Sequence, residues 1–71
     1  MSGIKFEIVE HITTISERGK WTLELNRVSW NGNPPKLDLR SWSEDHEKCS
    51  KGINLTHDEA LALREVLDRI V

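Results

Sequence analysis

Apolar and polar positions alternate from the start of the chain, with Ile4, Phe6 and Ile8 separated by Lys5 and Glu7, and β-branched residues continue to Ile15. A period of two sends successive side chains to opposite faces of a strand, so residues 4–16 are predicted as a first strand. Val9 directly follows Ile8 and breaks the period, which predicts a bulge or sharp bend there. Turn chemistry follows at Glu17-Arg18-Gly19-Lys20. From residue 21 to 30, Trp21, Leu23 and Leu25 share one parity and Thr22, Glu24 and Asn26 the other, before Val28 and Trp30 bring apolar groups to the second parity. This predicts a second strand with another bulge near Arg27. Asn31-Gly32-Asn33-Pro34-Pro35 is excluded from a ladder, because proline lacks an amide donor and Asn-Gly favours positive φ, so a hairpin loop is expected. Residues 36–42 alternate cleanly, with Leu37 and Leu39 on one face and Lys36, Asp38, Arg40 and Trp42 on the other. A polar loop over 43–51 and a short fourth strand over 52–55 complete the sheet.

The period then changes. Thr56-His57-Asp58-Glu59 fits a capping box, in which Thr56 accepts from the amide three residues on and Glu59 reaches back. Ala60, Leu63, Leu67 and Ile70 recur at helical spacing, and Val66 and Val71 widen the stripe beyond what one sheet face covers. The expected fold class is α+β: four antiparallel strands followed by one C-terminal helix, in one domain over 1–71. Such a sheet leaves an uncovered face and open edges, and a symmetric homodimer is the economical way to hide them.

Length supports the same expectation, since a chain of 71 residues buries only about 60% of its unfolded surface. The lone cysteine, Cys49, forms no bridge within one subunit and fits a reduced, cytoplasmic setting, including a nucleoid-associated one. With no basic region followed by an apolar run at its start, the chain reads as soluble and unprocessed, without a membrane partner.

The net charge of −2 argues against a polyanionic partner until its distribution is considered. Residues 1–17 and 57–71 each carry −2, whereas residues 18–52 carry +2 and hold all three tryptophans. Single-stranded nucleic acid is gripped by cations along its backbone and flat side chains under its bases. Lys20, Trp21, Arg27, Trp30, Lys36, Arg40, Trp42, Lys48 and Lys51 supply both. If Leu37 and Leu39 meet the helix, Lys36, Arg40 and Trp42 face solvent as a basic and aromatic row. The plainer reading is that the indoles fill the core and the charges solvate the surface; Trp21, in phase with Leu23 and Leu25, is open to either. An exposed strand face of this composition also suits a protein partner, which gives a rival reading as a protein-interaction dimer.

Other chemistries have little support. Asp45-His46-Glu47 and Cys49 lack the paired spacing of a structural zinc site, and no metal or other cofactor is expected. Cys49 has only His46 nearby as an activating group, and Gly19, Gly32 and Gly52 form no phosphate loop. So small an open sheet also offers little room for a small-molecule substrate, and no enzymatic activity is expected.

Leu37-Asp38-Leu39-Arg40-Ser41-Trp42, then a polar loop and Lys51-Gly52-Ile53-Asn54-Leu55-Thr56 before an acidic helix start, resembles the positive cofactor four transcriptional coactivator family. Lys5-Phe6-Glu7-Ile8, Glu24-Leu25-Asn26-Arg27-Val28-Ser29-Trp30 and Asp45-His46-Glu47-Lys48 extend the similarity to its bacterial YdbC-like branch over nearly the whole chain. The resemblance implies a strongly curved sheet, a dimer paired through helices and sheets, and binding of single-stranded DNA with little sequence preference, accessory to transcription, replication or repair. RNA is not distinguished from DNA. It also implies nucleic-acid contacts at Arg40, Trp42, Lys51 and Gly52, with Lys20, Trp21, Asn26, Arg27, Ser29, Trp30 and Lys36 as further candidates. The serine- and acid-rich tail of the eukaryotic coactivator is absent, and its phosphorylation control is not carried over.

Overall fold

The computed structural model describes residues 5–71. Strands β1 (Phe6–Arg18), β2 (Trp21–Trp30), β3 (Lys36–Trp42) and β4 (Ile53–Leu55) precede one helix, α1 (His57–Ile70). The strands lie side by side in chain order, and every neighbouring pair is antiparallel. The expected α+β architecture is therefore present. The start of the first strand at Ile4 lies outside the described residues.

Turn chemistry works as the residue types dictate. Gly19, Asn31 and Gly32 take left-handed φ values of 59°, 53° and 78°, which Gly and Asn tolerate. The Asn33 amide closes the second turn on the Trp30 carbonyl at 2.9 Å, and Asn31 Oδ1 accepts from the Lys5 amide at 3.0 Å, fastening β1 to the same turn.

β1 has 13 residues and opposes the 10 of β2, so three residues must be accommodated as register shifts. They fall between Ile8 and Glu10, His11 and Thr13, and Thr14 and Ser16. The break expected at Val9 is the first of these. The bulge expected near Arg27 is not found: β2 pairs with β3 without interruption from Thr22–Trp42 to Val28–Lys36, and the irregularity sits in β1 instead. Val28 and Trp30 thus keep the face set by Thr22, Glu24 and Asn26, and Trp21 faces the other way.

Each shift bends β1 and increases its twist, and three in one strand curl the sheet. Trp42 stands opposite Thr22 at one end of β2 and Trp30 lies at the other, yet their rings come within 6.5 Å. Phe6 reaches both, at 5.6 Å from Trp30 and 5.2 Å from Trp42. The concave face therefore closes on itself. Among the described residues its buried set is Val28, Trp42, Glu24, Asn26 and Asp38.

On the convex face the leucines remain open. Thr56 caps α1 with both arms of the capping box: its Oγ1 accepts from the Glu59 amide at 3.1 Å, and Glu59 Oε1 accepts from the Thr56 amide at 2.8 Å. The helix buries none of its side chains, which corrects the expectation that one stripe would seal onto the sheet. It stands off across a groove of about 380 Å³ lined by Leu25, Leu37, Leu39 and Leu55 on the sheet and Leu63 and Leu67 on the helix. The curl explains the gap, because bending toward one face splays the other. No helix among the described residues is long and apolar enough to cross a membrane.

With so little packing, the cap carries much of what orders α1. Thr56→Ala should lower stability by about 1 kcal/mol, the usual worth of an N-cap hydroxyl, as read from the midpoint of a urea melt.

Candidate nucleic-acid interface

The concave face combines an aromatic cluster with two buried carboxylates. Asp38 is fully buried and pairs with Arg40, whose Nε donates to both carboxylate oxygens at 2.7 and 2.9 Å while Nη2 approaches Oδ2 at 2.7 Å. The Arg40 guanidinium lies 4.5 Å from the Trp30 ring centre, within cation–π range. Burial opposes its charge, but the bonds to Asp38 outweigh this and raise its pKa further. Gly52 is the residue that lets β4 approach: a Cβ there would lie 2.4 Å from Arg40 Cβ and 2.5 Å from the Leu39 carbonyl oxygen.

Glu24 is the second buried carboxylate, 3% exposed. Thr22 Oγ1 donates to its Oε2 at 2.5 Å and Asn26 Nδ2 to its Oε1 at 3.1 Å. His46 reaches in from the loop after β3, with Nε2 2.8 Å from Oε2. Asn26 Oδ1 in turn accepts from His11 Nδ1 at 2.7 Å. Burial pushes the Glu24 pKa up, but hydrogen bonds from Thr22, Asn26 and His46 prevail and hold it below the usual 4.5. The group is thus an ionised acceptor, and the His46 and Asn26 atoms facing it are donors.

This geometry corrects the expectation of one solvent-facing row. Trp42 lies on the face that strand parity dictates, but it is fully buried beneath Phe6, Trp30 and His46. Curvature folds that face inward, so parity places Trp42 without exposing it. Trp30 is half-buried, and Arg40 is 13% exposed with its charge committed to Asp38. Asn26 is fully buried and holds Glu24 and His11. Arg27 lies on the opposite, leucine-bearing face and pairs with Glu10 at 3.0 Å. Ser29 shares that parity and donates to the Asn33 carbonyl at 2.7 Å, bracing the hairpin.

The remaining candidates are accessible, and most of them gather at two places. Lys20, Trp21 and Lys48 line a groove of about 510 Å³ with Ser43, Glu44 and Asp45. Trp30 and Lys36 line a recess of about 320 Å³ with Asn33, Pro34 and Asn54. These sites mark the two ends of β2. Lys51 and Gly52 are exposed just before β4. None of Lys20, Lys36, Lys48 and Lys51 forms a salt bridge with a described residue. Phe6, His11, Glu24, Asp38 and His46 belong to the concave site and were not among the sequence candidates. The pattern that could have found the carboxylates is Glu24 and Asp38 at inward parity on β2 and β3, in phase with Trp30 and Trp42. Among the described residues no group of three or more His, Cys, Asp or Glu side chains is arranged to hold a metal ion.

The family model of transcriptional coactivator p15 (PC4) matches residues 17–66, from the end of β1 into α1. The chain belongs to this family. It is similar to an uncharacterized protein of Treponema pallidum (strain Nichols), with 45% identity over 64 residues covering 89% of this chain and 75% of that one. Membership in the p15 (PC4) family makes coactivator-like nucleic-acid binding the coarse function of the chain.

Because the folded pKa of Glu24 is depressed, its contribution to stability is complete above about 4.5 and is lost as pH falls through the folded value. Glu24→Gln should cost roughly 1–3 kcal/mol at pH 7, the usual price of disturbing a buried hydrogen-bonded group. That deficit relative to wild type should shrink in thermal melts taken progressively below pH 4.5.

Proposed function

We propose that this protein binds single-stranded DNA, with little overall sequence preference and without altering it, in service of transcription, replication or repair. The observation that carries the reading is a tryptophan beside lysine at each end of β2: Trp21 with Lys20 and Lys48, and Trp30 with Lys36. Stacking surfaces joined to cations suit a flexible polyanion whose bases are exposed, and they read no particular base edge. Duplex DNA fits less well, since neither groove presents a helix or ribbon to a major groove. A cytoplasmic place, with free access to nucleic acid and a reduced Cys49, accompanies this reading.

A homodimer belongs to the same proposal. Ile15, Leu63 and Leu67 are between 41% and 54% exposed around the groove between sheet and helix. An apolar surface of that kind on a short chain calls for a cover, and a second copy supplies an identical stripe related by a two-fold axis.

Two measurements test these statements. Binding of an oligo-dT to the protein, followed by tryptophan fluorescence, should weaken with salt, with a slope of log K on log[salt] of about −0.7 per phosphate neutralised. Lys36→Ala should flatten that slope by the same increment; an unchanged fluorescence signal would instead favour a protein partner, and a preference for an RNA oligonucleotide would reassign the ligand. Sedimentation equilibrium should give twice the 8.2 kDa chain mass, reduced by Leu63→Glu. A wild-type monomer would refute the dimer.

A further inference from the structure

The loop between β3 and β4 places the His46 imidazole between Trp42 and Glu24. His46 takes a left-handed φ of 60°, a conformation that side chains other than glycine seldom adopt. A tight loop holds it there: its amide donates to the Ser43 carbonyl at 2.9 Å, Lys48 N donates to Ser43 Oγ at 3.0 Å, and Ser43 Oγ donates to Asp45 Oδ1 at 2.7 Å. The ring centre is 5.8 Å from that of Trp42, with the planes 30° apart, while Nε2–H donates to Glu24 Oε2 at 2.8 Å. A flat heterocycle thus stacks on an indole and gives an N–H from its edge to a buried carboxylate. Its side chain is still 42% exposed, beside an open cleft of about 580 Å³ that Lys20, Thr22 and His11 also line. The indole Nε1–H of Trp42 is buried and has no acceptor among the described residues.

We propose that Trp42 and Glu24 form a seat for one nucleobase bearing an exocyclic amino group, and that His46 occupies this seat in the free protein. The inference rests on the single-stranded DNA reading above and adds a chemical preference to it at one position. When His46 swings out, Glu24 Oε2 loses a donor and Trp42 loses the ring stacked on it. The amino group of cytosine, adenine or guanine restores the first, as carboxylates do when they accept from cytosine N4, and the base plane restores the second. Thymine has no amino group, and its only edge N–H is flanked by two carbonyl oxygens that would face the carboxylate. Thr22 and Asn26 stay bonded to Glu24 throughout, so the carboxylate remains charged and aimed.

Oligo-dC and oligo-dT of equal length, titrated at pH 7.5 and one salt concentration, test the seat. Wild type should favour oligo-dC by about tenfold, the worth of one hydrogen bond to a charged group. His46→Ala removes the internal occupant and should tighten oligo-dC binding several-fold while leaving the preference in place. Glu24→Gln should bring the two affinities together. Because that variant disturbs a buried network, the wild-type protein provides a second reading: oligo-dC should shift the indole N–H resonance of Trp42 and the ring resonances of His46 in NMR spectra. Equal binding of both oligonucleotides, or oligo-dC binding unaffected by His46→Ala, would overturn the seat and leave the general reading intact. Failure of both oligonucleotides to bind would overturn both.

Discussion

The surplus of three residues in β1 over β2 is the constraint on which the rest of the molecule depends. A ladder of unequal strands stays hydrogen-bonded by bulging the longer one, and repeated bulges on one strand bend the whole surface. Compression on the inner side brings Trp42, from the far end of the ladder, against Trp30 and its cross-strand partner Phe6. Extension on the outer side lifts Leu25, Leu37 and Leu39 away from the helix that follows them. One geometric cause thus accounts for a core made of indoles and carboxylates and for a leucine face left unsealed.

A core of that composition has its own logic. Glu24 and Asp38 are buried where an apolar pair would normally lie, and a buried charge is tolerated only when its partners are complete. Arg40 serves Asp38; Thr22, Asn26 and His46 serve Glu24. Such networks fix which side chain meets which more than they add to stability, and here they lock the loop after β3 onto the sheet. The loop carries His46 to Glu24 on one side and Lys48 to the groove beside Trp21 on the other.

Much of this was legible in the residues. β2 and β3 run over the predicted spans, the Asn31-Gly32 turn follows from its two residue types, and the Thr56 and Glu59 box is complete as its spacing requires. Parity assigned Trp42 and Arg40 to the face opposite Leu37 and Leu39, and family membership agrees with the resemblance seen around Arg40 and Lys51. What parity could not give is curvature. A flat sheet with the same alternation would expose Trp42; only the sum of three shifts, one of them signalled by Val9, turns that face into an interior. The shift assigned to β2 near Arg27 was misplaced because the double apolar parity of that strand serves both faces of one regular strand. His46 and Glu24 are 22 residues apart, and no local pattern announces their bond.

The commitment of Arg40 to Asp38 bears on how a polyanion would arrive and leave. With that cation neutralised, and Glu17, Glu24 and Glu44 lining the cleft around His46 beside a single lysine, Lys20, the cleft itself offers a polyanion little net attraction. On the proposed reading, capture at a distance would fall to the outlying lysines, whose pull fades with ionic strength. Stacking and hydrogen bonds at short range would then hold the bound strand and set much of its residence time.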